Sequence, residues 1–352
     1  MPSIDWTKSM SQTFEFCTVD PGTWCDMKKL DTVTSATISR DVDSETLGSA
    51  SFDLVDVLGE CYIRTYLIAT QNGYSERIPL GTHLLQTPSS KFNGKNRSVS
   101  VDAYTPLLEL KEKIPPLGYS MLKGTKIFEM ASKLTAENAR APVVGIHTDD
   151  KLEEDFVANT NDTWLTFLKD LLAKMNYSYE LDEMGRILFT PVEKAAQLQP
   201  VYTFYDNEIS ILQSDISINH DIYGLPNVVE VVYSKDNVNY YSRVVNDSIG
   251  SPISTVNRGR EIVYRVTDPD MNGLPTQEMI DEYAKRILKE KSTVTYSLSY
   301  THSYCPVRIG DCVRINYEKA GLKDIKAKVI SQTIKCSTGC QVSEKAEYTV
   351  EL

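Results

Sequence analysis

The first hundred residues alternate between short strand-like runs and turn signals, and this spacing restricts the possible folds more than any other feature. Residues 33–40 and 49–55 alternate polar and apolar side chains around a polar turn that ends at Gly48. Residues 62–68 form a third such run, followed by a tight hairpin signal at Asn72-Gly73. About five strands in rapid succession predict a small β-barrel or sandwich over residues 1–105.

The pattern changes after residue 105, where prolines interrupt the alternation and helical spacing begins. Thr125 is expected to cap a first helix, and Asp162 a second one with an apolar stripe along residues 164–175. A strand–turn–strand pattern follows at residues 177–190. Residues 106–200 are therefore predicted to form a middle α+β domain.

Strand patterns return from residue 201 and continue to the end of the chain, with one further helix opening at Pro275-Thr276. Residues 201–352 are accordingly predicted to form a second β-barrel domain, with an inserted helical segment at about 235–293. The predicted fold class is mainly β with α+β insertions, comprising two β-barrel domains and the middle α+β domain.

Two parts of the chain also match each other in order. Residues 38–42, Ile-Ser-Arg-Asp-Val, precede a glycine turn and a returning strand, and residues 218–222, Ile-Asn-His-Asp-Ile, precede Gly224 and a strand at 228–231. Further along, residues 61–66 parallel residues 312–317. This repetition predicts two barrels of similar topology, with chance recurrence of strand–turn–strand patterns as the alternative.

No catalytic or metal-binding sequence pattern accompanies these strands. Asp149 lies two positions after His147, and Asp221 directly follows His220, but such pairs are common on protein surfaces. Cys336 and Cys340 are a close pair at a turn, but a zinc site would need two more ligands. We therefore expect no catalytic residue, no metal and no cofactor. Seven cysteines, an odd number, and no visible signal peptide favour reduced thiols in a cytoplasmic product. No apolar run reaches the length of a membrane span.

Five segments together resemble a known family in their order and spacing: residues 33–55, 99–110, 163–190 with the turn Asp-Glu-Met-Gly-Arg-Ile, 305–311 (Cys-Pro-Val-Arg-Ile-Gly-Asp) and 329–334. The family is that of the baseplate hub proteins of phage tails and contractile injection systems. It includes the T4 and Mu hubs, the N-terminal part of VgrG spikes, and XkdQ-type proteins of Gram-positive prophages or diffocin-like particles.

The resemblance implies a structural protein without enzymatic activity. Such a protein is a homotrimer in which each subunit contributes two tube-like β-barrels, so that three chains form a pseudo-six-fold ring. The ring adapts the six-fold tail tube protein above it to the three-fold spike protein below, among other baseplate proteins. It belongs to the virion tail baseplate and is assembled in the cytoplasm of the bacterial host.

The matching strand ends supply candidate ring-interface residues, namely Arg40, Asp41, His220 and Asp221. The net charge of −11 argues against general DNA binding, which favours basic proteins. Three copies carry −33, and an acidic lumen would let genome DNA pass without specific binding.

Two alternatives remain at the sequence level. One is a tail-associated peptidoglycan endopeptidase. The other is a tail module that binds host cell-wall carbohydrate through exposed tyrosines.

Overall fold

Strands dominate the structure, a computed structural model that describes residues 3–56, 58–92, 94, 97–145, 147–193, 197–220, 222–235, 238–269 and 275–351. The first seven strands are β1 (Ser11–Val19), β2 (Asp26–Lys29), β3 (Val33–Asp41), β4 (Gly48–Leu54), β5 (Tyr62–Gln71), β6 (Tyr74–Phe92) and β7 (Arg97–Tyr104). The middle of the chain contains β8 (Ser120–Met121), β9 (Val143–Val144), β10 (Phe156–Val157), β11 (Tyr177–Leu181) and β12 (Ile187–Pro191).

The remaining strands are β13 (Pro200–Tyr205), β14 (Leu212–His220), β15 (Val228–Lys235), β16 (Val238–Val245), β17 (Val263–Thr267), β18 (Thr293–Ser303), β19 (Cys312–Tyr317), β20 (Leu322–Lys335) and β21 (Gln341–Glu351). The α-helices of the described residues are α1 (Leu108–Glu112), α2 (Ile127–Asn138), α3 (Trp164–Ala173), α4 (Thr255–Arg258) and α5 (Gln277–Lys291). The predicted class, mainly β with helical insertions, is confirmed. Of the helices described, none has the length and apolar character to cross a membrane.

The largest sheet contains two sets of six strands with the same order. The first set runs β3-β4-β7-β6-β5-β1, with β2 beside β1, and the second runs β14-β18-β21-β20-β19-β13. If the six strands of each set are numbered in chain order, leaving out β2, both sets have the order 2-3-6-5-4-1. The two sets differ at one pairing, since β1 lies antiparallel to β5 whereas β13 lies parallel to β19. Strand β20 pairs with β3 and joins the two sets.

One part of the predicted repeat is wrong. The returning strand of the second set is not residues 228–231, because β15 pairs with β16 and β17 in a separate three-stranded sheet. Strand β18 takes the position that corresponds to β4. Alternating side chains specify a strand but not its partner, so the sequence pattern could not distinguish β15 from β18.

The chain divides into two compact units. One comprises Met1–Ile216 with Ser299–Ala346, and the other comprises Ser217–Leu298 with Glu347–Leu352. Strands β14, β18 and β21 have residues in both units. The second unit has its own core, in which Val229 and Val231 of β15 pack with Ile280 and Ala284 of α5.

The middle segment forms around α3, whose apolar stripe is buried. Leu165, Leu168 and Leu172 pack in one cluster with α2 and with the hairpin of β11 and β12. The predicted caps of the two helices differ from the structure. Thr163, and not Asp162, caps α3, because Thr163 and Thr166 exchange hydrogen bonds between their side chains and backbone N–H groups.

The two displaced capping residues have other roles. Asp162 accepts a hydrogen bond from the backbone of Asn159. The residue before α2 is Lys126, which makes no side-chain cap, and Thr125 donates its hydroxyl to the carbonyl of Leu122.

Candidate functional site

The two strand sets meet where β20 of the second set pairs with β3 of the first, and we call this pairing the joint. Strands β3 and β20 pair antiparallel from Asp41 opposite Ser331 to Thr37 opposite Lys335. Ile38 and Ile334 face each other in this register, and both are fully buried. Their side chains belong to one apolar cluster that contains residues of both sets, so the first set completes its core with the second.

A buried polar network crosses the joint beside this apolar contact. Arg40 donates from Nη1 to Oε1 of Gln332 at 2.8 Å and from Nη2 to the carbonyl of Leu80. Gln332 in turn donates from Nε2 to Oε1 of Glu344 at 2.7 Å and to the carbonyl of Val307 at 2.9 Å. The network fixes the register of β3 against β20, because a shift by one residue would turn Gln332 away from Arg40.

Glu344 ends this network deep inside the second strand set. The hydroxyl of Tyr300 donates to its Oε2 at 2.7 Å, and Nε2 of His302 lies 3.3 Å from its Oε1. Burial opposes the charge of Glu344, but His302 and hydrogen bonds from Tyr300 and Gln332 hold the pKa of Glu344 below its usual value. Burial and the neighbouring Glu344 raise the pKa of Tyr300 well above its usual value. The carboxylate is therefore charged and satisfied at neutral pH.

A cleft of about 200 Å³ opens beside Arg40 within the first unit. Glu183, in the turn between β11 and β12, lies 3.8 Å from Arg40 and also pairs with Arg308. Arg308 donates to the carbonyl of Leu181 at 3.1 Å. Three charged side chains from distant parts of the sequence therefore connect the hairpin turn to both strand sets.

The same hairpin turn is also held by a buried arginine of the first strand set. Arg64 is inaccessible to solvent, donates to Asp26 Oδ1 at 2.7 Å and donates to the carbonyl of Met184 at 3.0 Å. Trp24 also donates from Nε1 to the Met184 carbonyl, at 2.8 Å. Gly185 follows with φ +73°, and a Cβ there would lie 2.6 Å from Cβ of Thr82, so only glycine fits this close approach.

The cysteine and histidine side chains do not form an activated nucleophile in the described residues. Cys305 Sγ lies 3.8 Å from Nδ1 of His302, but that nitrogen faces the carbonyl of Ser303 at 2.7 Å and must donate to it. Burial raises the pKa of the Cys305 thiol well above its usual value. An enclosed, protonated thiol beside a nitrogen that cannot accept its proton has the opposite properties to a catalytic cysteine.

The other cysteines and histidines singled out in the sequence lie apart. Cys336 and Cys340 are buried, free thiols at the turn between β20 and β21. His147 is exposed, with its ring 4.8 Å from that of Phe128. In the part of the chain that the structure describes, no group of three or more His, Cys, Asp or Glu side chains could hold a metal ion.

Of the four predicted interface residues, two are described in full by the structure. Arg40 and Asp41 lie at the joint between the two sets of one chain. His220 ends β14, but its side chain and the whole of Asp221 lie outside the described residues. Sequence reasoning missed Gln332 and Glu344. A polar residue at a core-facing position of a strand, as at Glu344 between Val342 and Ala346, is the signal that could have indicated them.

No protein-family model and no curated relative matches the sequence. Solved structures do match along nearly the whole chain. A tail protein from Neisseria meningitidis MC58 is 13% identical, with a TM-score of 0.61 over 96% of this chain and 97% of its own. The 43 kDa tail protein of prophage MuSo2 from Shewanella oneidensis is 11% identical, with a TM-score of 0.61 over 96% of this chain and 98% of its own.

A chain of the Francisella PdpA–VgrG complex is 9% identical, with a TM-score of 0.54 over 97% of this chain and 52% of its own. These identities are too low to transfer an activity, and the agreement concerns the path of the chain. The chain therefore has the fold of these phage tail proteins and of the matched chain in the VgrG complex, in agreement with its sequence resemblance.

Proposed function

We propose that this protein is a structural subunit of the baseplate hub of a phage tail or tail-like particle. Three copies form a ring that adapts a six-fold tail tube to a three-fold spike. The observation that carries this proposal is the presence of two strand sets of the same order, joined edge to edge, in one chain. Three such chains present six similar sets, which is what a six-fold partner requires.

The arrangement of charged groups is consistent with this structural role. Arg40, Arg64 and Arg308 are engaged by carboxylates and carbonyls that join segments far apart in the sequence. A net charge of −11 per chain gives the assembled ring a negative charge, which allows a polyanion to pass without being retained. The partners in this proposal are the tube protein, the spike protein and other baseplate proteins, and the location is the virion tail.

Light scattering coupled to size-exclusion chromatography tests the assembly. A mass of about 119 kDa, three times 39.6 kDa, is expected, and electron micrographs should show rings with three-fold symmetry. A mass that stays at 39.6 kDa up to high micromolar concentration would contradict a stable free trimer. The same preparation tests the two alternatives. Release of peptidoglycan fragments would indicate an endopeptidase if it is abolished by His147→Ala or by Cys25→Ala, which removes an exposed free thiol. Retention on isolated cell walls would indicate a carbohydrate-binding module.

A further inference from the structure

Strand β20 has two different partners along one of its edges. Its first part pairs with β19, ending with Lys328 opposite Cys312, and its last part pairs with β3, beginning with Ser331 opposite Asp41. Strand β21 is its neighbour in the sheet on the other edge. Where β19 ends, β3 of the other set therefore continues along the same edge.

Strand β6 holds the equivalent position in the first set, and its corresponding edge is open. Its pairing with β5 ends with Leu84 opposite Tyr62, while β7 covers the other edge from Leu84 to Phe92. Among the described residues, β7 is the only strand that pairs with residues 88–92 of β6. The side chains of these five residues are exposed, and Phe92 is 70% exposed.

Strand β14 holds the position of β3 in the second set, and among the described residues it lies at the end of the sheet, with β18 as its neighbour. On one face of β14, Leu212, Ile216 and Ile218 are half-buried while Ser214 between them is exposed. Ile38 of β3, in contrast, is completely buried against Ile334. An apolar row on a terminal strand is a template for pairing with another strand.

From these two open edges we infer that β14 of one copy pairs antiparallel with residues 88–92 of β6 in the next copy. This contact repeats between chains the β3–β20 joint that exists within each chain. The inference rests on the proposed trimer and specifies how its ring closes. Three joints within chains and three between chains give a closed ring of six strand sets, as heterologous contacts require.

Features of the two edges agree with pairing between copies. Lys91 is exposed on β6 and Asp215 is exposed on β14, so the edges carry opposite charges. Pro88 lacks an N–H group, which is compatible with an edge position and disfavours indiscriminate pairing with other strands. The partner of each edge is thus a second copy of this chain, because β14 and β6 hold the positions in the strand order that β3 and β20 hold in the joint.

A photo-cross-linking residue at position 92 tests the contact directly. Benzoylphenylalanine replaces Phe92 in a mixture of isotope-labelled and unlabelled copies, and mass spectrometry identifies the linked peptides. Cross-links from position 92 to residues 212–220 of a different copy are expected. The matched control carries the same group in place of Leu117, which is 89% exposed and lies outside both edges, and it should give no such link.

A pair of substitutions adds an independent readout. Ile218→Lys should convert the trimer to a folded monomer with an unchanged circular dichroism spectrum, because the edge is open in the single chain. Ile38→Lys, at the matching position of β3, should instead unfold the joint, since it places an unpaired charge in the core.

The outcomes separate the two levels of the proposal. A trimer whose position-92 cross-links fall elsewhere, or a trimer unaffected by Ile218→Lys, would overturn the β14–β6 contact while leaving the hub function intact. A protein that stays monomeric without any substitution would contradict the stable trimer on which the proposed contact rests.

Discussion

His83 is a buried histidine at the residue scale, enclosed in the first strand set with its Nδ1 atom unpartnered. Burial, together with the neighbouring Arg40, lowers the pKa of His83 to about 3. The folded protein therefore holds His83 neutral, whereas the unfolded chain protonates it near pH 6.5. Because the folded pKa is the lower one, the stabilising contribution is complete above pH 6.5 and is lost as the pH falls toward 3.

His83→Gln should remove this part of the acid sensitivity. The free energy of unfolding of the parent protein is expected to fall below pH 6.5 by up to about 1.4 kcal/mol per pH unit more than that of the variant. Urea unfolding between pH 7 and pH 4 measures the difference. His147→Gln is the matched control for the exchange of histidine for glutamine, because His147 is exposed and lies outside the first strand set. If the free energy of unfolding changed with pH equally in the parent protein and in His83→Gln, the burial of His83 would not contribute to the acid sensitivity.

Residue-scale contacts of this kind were inaccessible to sequence reasoning. Arg40 and Gln332 are 292 positions apart, and nothing in the local pattern of either strand identifies the other as its partner. The sequence around Arg40 and Asp41 predicts the end of a strand, but not the partner of that strand. The polar network that anchors Arg40 depends on long-range topology, which a single sequence does not encode in any local spacing.

Helix α3 is the element on which the middle segment depends. Leu168 is inaccessible to solvent and packs in the cluster that joins α2, α3 and the β11–β12 hairpin. Leu168→Ala is expected to lower the free energy of unfolding by about 2–5 kcal/mol, through lost apolar contacts and the cavity left behind. Chemical denaturation measures this change.

Lys169→Ala, at the next position of the same helix, is the control and should change stability by less than about 0.5 kcal/mol, because its side chain is exposed. If Leu168→Ala kept its stability but lost assembly, the stripe would be an interface between proteins and not a core.

Elements are the level at which the sequence was most informative. The β3–β4 hairpin and the stripe of α3 were predictable, because alternation, turn residues and helical spacing are local signals. The cap of α3 was misplaced by one residue, since Asp162 and Thr163 are both good capping residues and only the Thr166 hydroxyl distinguishes them. The assignment of β15 to the second set failed for a different reason, namely that strand partners are chosen by the whole fold.

At the scale of the whole molecule, the shared apolar cluster couples the two strand sets. Ile334→Ala, at the joint, should accelerate amide hydrogen exchange in β3 and β4 as well as in β20 and β21. The expected loss of stability is about 2–5 kcal/mol, and exchange mass spectrometry resolves it by segment.

Ile280→Ala removes the same number of buried atoms from the separate core around α5 and β15, so its effect should be centred on β15–β17. Faster exchange confined to the second strand set in Ile334→Ala would mean that the two sets open independently.

The two sets differ in the length of the connection between two corresponding strands. In the first set, a short turn joins β3 to β4, and a Cβ at Gly48 would collide with the carbonyl oxygen of Ser39. In the second set, the described residues of the corresponding connection from β14 to β18 form three strands and two helices. The first set thus has a compact turn at this position, whereas the second set accommodates a separately packed segment there. The connection between β14 and β18 is therefore the position at which a foreign domain should be inserted with the least disturbance, because it already holds a segment with its own core.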